Sequence, residues 1–291
     1  MRPFLRIAGV LNVPFLFVLP LVMQAAIACR WNDALLTIRE GGATRHDSGT
    51  SLGGVCANHE AIDGSAGSTN GLVAWYPCES AAGASETLLP DSTLHGNDGT
   101  LMTGTGGGAG YSFATGKVGN ALDLVLAKKG YVTLPAGLLA EACEATIATW
   151  VYINSNVNAW TRIWDFGQDT NVYMFLTPIT NTDNVARFGI SLNGNTHEED
   201  IIAPTEVPTL KWTHVAVVLG PSGGILYFNG VPVGSNTSMT LRPANLGHTQ
   251  NNYIGRSQFS DDPYLDGDID ELRIYDRALL SEEILALATG S

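Results

Sequence analysis

Basic residues are scarce. Fifteen Lys and Arg stand against 28 Asp and Glu, for a formal net charge of −13 over 291 residues. A phosphate backbone is held by clustered cations, so nucleic acid is excluded as a partner. Charged residues of both signs make up only 15% of the chain, which argues against a fold dominated by helices laced with ion pairs. The four cysteines, Cys29, Cys56, Cys78 and Cys143, include no Cys-x-x-Cys pair, which leaves zinc and thioredoxin-like chemistry without support. The six histidines have no metal-ligand spacing, and His214, inside Trp-Thr-His-Val-Ala, reads as a packed structural residue. The Gly-rich run 104–108 has no helix after it and reads as a hairpin loop, not a phosphate cradle.

Long apolar stretches are confined to the N-terminus. Arg2 and Arg6 precede an apolar run from Ile7 to Met23, interrupted by Asn12, Pro14 and Pro20, and Ala26-Ile27-Ala28 follows. This order predicts a signal peptide over 1–28, cleaved to leave no membrane span. Cys29 follows the cleavage site directly. Lipidation there is the alternative, but Ala26 stands where a lipoprotein signal carries Leu. The expected location is secreted, periplasmic or cell envelope. In such an oxidising compartment four cysteines form two disulfides, with three possible pairings. Cys29–Cys56 with Cys78–Cys143 is the expected one.

Thirty-three Gly and 13 Pro imply many turns. Residues 29–69 are rich in Gly, Ser, Thr and Asn and weak in apolar pattern, so they read as an extension or linker with one short strand at 34–38. Over 70–290 the text becomes short strands between turn signals. Strands are expected at 72–76, 121–126, 130–134, 145–152, 162–166, 172–177, 187–192, 213–219, 224–229, 231–235, 252–255 and 267–275. Asn229-Gly230 is the strongest hairpin signal. A single helix is expected at 281–288, with Ser281 as N-cap and Glu282 and Glu283 in its first turn. The fold class is all-β: a two-sheet antiparallel sandwich with one short C-terminal helix.

Two acidic segments suggest a cation. Asp91-Ser92-Thr93-Leu94-His95-Gly96-Asn97-Asp98-Gly99 is a loop of short side chains and free carbonyls, and Asp268-Ile269-Asp270 alternates on a strand. Both suit a hard ion that takes six to eight oxygens. Asp91, Asp270, Gly96 and Asn97 are the expected calcium ligands, with Asp268 on the same strand face as Asp270. In the alternative, Asp91 caps a turn and Asp268 and Asp270 face solvent.

Residues 71–288 resemble the laminin G-like jelly roll of the concanavalin A-like lectin/glucanase superfamily, most nearly its bacterial secreted members. The resemblance is carried by ordered segments, among them Gly71-Leu72-Val73-Ala74-Trp75-Tyr76, Asp91 to Gly99, Gly116-Lys117-Val118-Gly119-Asn120-Ala121-Leu122, Ala145 to Val151, Arg162 to Gly167, Trp212 to Ala216, Tyr253 to Ser257 and Gly267 to Tyr275. It implies two sheets packed face to face, a structural calcium near the chain ends, and a variable ligand surface for glycans or cell-surface proteins.

Aromatics beside hydrogen-bonding groups suit sugars. Trp160, Arg162, Asn171, Tyr173, Arg256 and Tyr264 are the candidate ligand residues, whereas Trp75, Trp150, Trp164 and Trp212 lie in strand patterns and are expected in the core. The superfamily's glucanases carry Glu-x-Asp-x-x-Glu. The nearest approach here, Asp268 to Arg273, lacks the first Glu and has Arg273 in place of the last. Glu198-Glu199-Asp200 and Asp261-Asp262 read as solvated loop charge, so no catalytic residue is assigned. The expected function is a non-catalytic carbohydrate-binding or adhesive module. The alternatives are a glycoside hydrolase with an unrecognised carboxylate pair and an envelope protein–protein interaction domain.

Overall fold

The computed structural model describes Cys56 and residues 69–83, 86–104, 108–155 and 157–290. The expected signal peptide, Cys29 and the strand expected at 34–38 lie outside these residues. In chain order the strands are β1 (Leu72–Tyr76), β2 (Leu88–Leu89), β3 (Gly99–Met102), β4 (Tyr111–Thr115), β5 (Asn120–Leu124), β6 (Tyr131–Leu134), β7 (Ala145–Ile153), β8 (Trp164–Gly167), β9 (Tyr173–Thr177), β10 (Arg187–Ser191), β11 (Glu199–Ile202), β12 (Trp212–Gly220), β13 (Gly223–Phe228), β14 (Val231–Asn236), β15 (Asn251–Ile254) and β16 (Gly267–Tyr275). Helix α1 covers Ser281–Thr289.

The first sheet runs β14-β13-β12-β7-β16-β5-β4, with β1 also paired to β16. The second runs β11-β10-β9-β8-β15-β6-β3-β2. All pairings between these strands are antiparallel. Asn229 and Gly230 join β13 to β14 with φ of 50° and 80°, the paired left-handed values of a type I′ turn.

Alternation places one apolar set between the sheets. In the second sheet, Phe188, Leu176, Trp164, Ile254, Val132 and Leu101 stand directly opposite one another from strand to strand, and all are buried. They join Ile147, Val151 and Ile153 of β7, Val215, Val217 and Leu219 of β12, and Ile269, Leu272 and Ile274 of β16 in one core cluster. That is the arrangement of a face-packed sandwich.

The first sheet also buries part of its outer side. Ala148, Ala216, Val218, Tyr227 and Tyr275 pack there with Leu279 and Ile284, so α1 lies on that face. A helix this short depends on such packing. Its start is shifted by one residue from expectation: Leu280, not Ser281, is the N-cap. Glu283 does the capping, accepting from the Leu280 N–H at 2.9 Å and from both terminal nitrogens of Arg277 at 2.8 and 2.7 Å.

The disulfide differs from the expected pairing. Cys56 is bonded to Cys143, with Cα atoms 5.2 Å apart, and Cys78 is a buried free thiol. Cys78 lies just past β1 with Asp270 and Leu122 near its sulfur, so it is enclosed by the first sheet. Four strands went unread. Strands β2 and β4 are short edge pieces, β3 is a four-residue strand next to the edge, and β11 reads as loop charge.

Candidate functional site

The loop from Asp91 to Gly99 has a different task from the one its composition suggested. Asp91 Oδ1 accepts from the N–H groups of Trp75 and Thr93, both at 3.0 Å. Its Oδ2 accepts from the Thr93 hydroxyl at 2.7 Å and the Asn97 N–H at 3.1 Å. These bonds hold its pKa below the ordinary value against the opposing effect of burial. Asn97 Nδ2 donates to Val73 O at 2.9 Å, and Ser92 N donates to Trp75 O at 2.8 Å. The loop therefore closes the free edge of β1, supplying partners to its backbone. Gly96, exposed with φ of 77°, makes the turn.

Asp270 engages other groups. Its Oδ2 accepts from the Val118 N–H at 2.8 Å, and its Oδ1 is buried without a partner. Asp268 sits beside Asp123. Burial and neighbouring carboxylates raise the pKa of Asp268 to about 6, and burial does the same for Asp270. Among the described residues no group of three or more His, Cys, Asp and Glu side chains is placed to hold a metal. All four acceptor positions of Asp91 are filled by N–H and O–H donors, whereas Asp270 keeps one buried oxygen without a partner. Asp91 caps a turn, but Asp270 is buried and does not face solvent.

The expected ligand residues gather on the outer side of the second sheet. One cross-strand row there reads Asp200, Gly189, Phe175, Asp165, Tyr253, Thr133 and Thr100. Gly189 leaves room for its neighbour, since a Cβ there would meet the Phe175 ring at 2.9 Å. Arg162 places its guanidinium carbon 4.0 Å from the Phe175 ring centre and 5.8 Å from that of Trp160. Trp160 also lies 5.9 Å from the Arg187 guanidinium and adopts φ of 66°. Tyr173 donates its hydroxyl proton to Glu198, which is ion-paired with Arg187. Farther along the row, Arg256 lies over both Tyr131 and Tyr253, at 4.8 and 4.7 Å, and Tyr264 meets Tyr131 edge to face at 5.8 Å. Arg256 has no ion pair among the described residues. Asn171 stands apart, exposed in the turn before β9 with its own N–H on Asp169.

The carboxylates of this face are committed. Arg162 pairs with Asp165 at 3.3 Å and Asp262 at 3.0 Å, while Arg187 pairs with Glu198 and with Asp200 at 3.1 Å. Glu199 accepts from the Thr240 hydroxyl and the N–H groups of Thr240 and Leu241. Glu198, Glu199, Asp200 and Asp262 are thus structural, not solvated loop charge. Asp165 is fully buried, and burial raises its pKa to about 6 despite Arg162. Burial also raises the phenol of Tyr173, helped by Glu198.

Tryptophan burial divides differently from expectation. Trp164 is core. Trp75, Trp150 and Trp212 share strands with inward neighbours but face outward from the first sheet. In β7 and β12 the register sets Trp150 opposite His214 and Tyr152 opposite Trp212, and both ring pairs are in contact. His214 is buried, which lowers its pKa to about 4, with Arg273 adding to the effect. Tyr131, Tyr253 and Phe175 are the face residues that sequence reasoning missed. Alternation with Val132, Ile254 and Met174 would have placed them.

A comparison with curated proteins by sequence returns no match. Among solved structures, the chain is similar to domain 4 of AbnA, a GH43 extracellular arabinanase from Geobacillus stearothermophilus solved in complex with arabinotriose. Identity is 26% and the TM-score 0.61, over 75% of this chain and 98% of that domain. It is similar in fold to Trypanosoma rangeli sialidase (20% identity, TM-score 0.54), covering 76% of this chain but 33% of the sialidase. It is also similar in fold to the binding domain of botulinum neurotoxin serotype D/C (14%, TM-score 0.58), covering 77% of this chain and 53% of that one. A laminin G-type family model matches residues 126–285, more than half of the chain. The protein belongs to the concanavalin A-like lectin/glucanases superfamily.

Proposed function

We propose that the protein is a secreted, non-catalytic carbohydrate-binding module whose ligand lies on the outer face of the second sheet. The observation that carries this reading is the Arg256 guanidinium, stacked on Tyr131 and Tyr253 beside Tyr264 and free of any carboxylate among the described residues. Such a half-buried array offers ring faces for sugar C–H groups and fixed donors for hydroxyls. The likeness to an arabinanase domain in complex with arabinotriose supports a pentose or hexose oligosaccharide as the ligand class. The disulfide suits an oxidising compartment. Among the described residues no helix is long and apolar enough to cross a membrane.

The non-catalytic part of the reading rests on charge. A glycosidase needs two carboxyl groups open to the glycosidic bond. Here Asp165, Glu198, Asp200 and Asp262 are each tied to a guanidinium, and Asp165 is sealed from solvent. Calorimetric titration with arabinotriose, beside a reducing-sugar assay, tests both parts. Binding without product is expected, with Tyr253→Ala and Arg256→Ala each weakening it roughly tenfold, the scale of one lost stacking or hydrogen-bonding contact. Release of reducing ends would remove the non-catalytic reading. Unchanged binding in both variants would move the site elsewhere.

A further inference from the structure

The other side of the sandwich carries a cavity that the reading above does not use. Beneath it lies a register fault in β16. That strand pairs with β5 through Gly267–Ile269 and, along the same edge, with β1 through Leu272–Tyr275. Its register against β7 slips between Asp270 and Arg273. Glu271 sits in the slip with φ of 54°, a conformation that costs a side-chain-bearing residue about 1–3 kcal/mol and marks functional positions more often than chance. Over this part of the sheet, α1 and the turn at Lys117 and Val118 wall a hollow. The result is a cavity of about 770 Å³.

The groups around it are arranged in two tiers. Trp75 and Trp150 supply indole rings to its lining. Trp75 donates its Nε1–H to Glu271 Oε2 at 3.0 Å, and the Glu271-paired Arg273 lies 4.7 Å over the Trp75 ring. Lys117 places its ammonium 4.5 Å from the Trp150 ring centre, with no ion pair among the described residues. Glu282 adds an acceptor from the helix side.

We infer that this cavity is a second binding site, for a neutral di- or trisaccharide; the choice of sugars rests on the carbohydrate reading of the opposite face. The volume matches a ligand of that size. The charges at its wall are in near balance, Lys117 and Arg273 against Glu271 and Glu282, with Glu283 neutralised by Arg277, which gives no preference to an anion or a cation. A hydrocarbon would strip water from these groups and return no hydrogen bonds. A sugar offers both what they need, hydroxyls that donate and accept, and C–H faces for the two indoles.

The full chain is titrated with arabinotriose, xylotriose and cellotriose, with stoichiometry read by native mass spectrometry and tryptophan emission followed in parallel. Two molecules bound per chain are expected for at least one of these sugars, with a change in emission. Lys117→Ala, at an exposed side chain, and Trp75→Phe each weaken one of the two events roughly tenfold, and Tyr253→Ala weakens the other. A single bound molecule lost in Trp75→Phe and kept in Tyr253→Ala upholds this cavity and removes the site on the second sheet. A single molecule indifferent to Lys117→Ala and Trp75→Phe overturns the inference and leaves the other site standing. No binding of any of the three sugars overturns it as well.

Discussion

The two outer faces of this sandwich build polar surface by opposite means. The second sheet keeps a regular register from β11 to β3, and its face is a straight row, Asp200 to Thr100, in which Arg162 and Arg187 neutralise the carboxylates beside them. The first sheet breaks its register at Asp270–Arg273, leaves Asp268 and Asp270 without cations, and covers half of its face with a helix. Regular pairing yields a continuous array. The slip lies beneath a hollow, with strain and uncompensated carboxylates. The difference teaches that a face's chemistry follows from whether its row of side chains is continuous.

The sharpest way to break the comparison is to remove a neutralising cation. Arg162→Ala leaves Asp165 buried without a cation, with the Gln258 N–H remaining on its Oδ2, and we expect a loss of about 3–5 kcal/mol in urea unfolding. Adding Asp165→Asn to that variant restores part of it. If Arg162→Ala costs no more than an ordinary surface change, the row is not held by its ion pairs. A smaller effect is expected from Gly189→Ala. The Phe175 ring must give way to the new methyl group, at about 1–3 kcal/mol. Thermal unfolding with near-ultraviolet circular dichroism reports both the loss and the ring's movement.

The uncompensated side is read by pH. Asp268 has a folded pKa of about 6 against 3.8 for a free carboxyl. Because the folded value is the higher one, its contribution to stability is full below pH 3.8 and is lost as pH rises through about 6. Asp123, Asp266 and Asp270 surround it and act in the same direction. Wild type and Asp268→Asn are therefore expected to be similarly stable near pH 4, the variant becoming more stable by on the order of 1 kcal/mol at pH 7, since the group is half exposed and screened. Taking the difference between the two chains cancels His214, whose lowered pKa acts with the opposite sign. A pH-independent difference would mean that the carboxylates do not interact. The smallest effect is expected from calcium. With Asp91 saturated by hydrogen bonds, the melting temperature should be the same in calcium and in chelator. Stabilisation growing with the logarithm of calcium concentration would reinstate a metal at the loop.

Much of this was legible in the chain. The strand at 145–152 and the Asn229-Gly230 hairpin depend on local pattern, and both are found as read. Trp160, Arg162, Tyr173, Arg256 and Tyr264 were chosen singly and prove to share one face. What was not legible is non-local. Nothing in Ile269-Asp270-Glu271-Leu272 signals a slip, because Glu271 takes a left-handed conformation without glycine to mark it. The Cys56–Cys143 bond joins residues 87 apart. Glu198 looks like loop charge until Arg187 and Tyr173 are brought to it by strand pairing.

One feature of β1 reaches further. The Asp276 N–H donates to Gly71 O at 2.9 Å and Arg277 Nε to Asn70 O at 2.7 Å, while Thr69 and Gly290 border the same hollow. Entry to and exit from the domain are therefore neighbours. A short peptide could splice residue 290 to residue 69, and new termini could be opened in the exposed turn at 181–184 without crossing either sheet. A unit with this geometry can be threaded into a loop of a host protein as readily as hung from one end, with both tethers beside the hollow and the face of the second sheet left free.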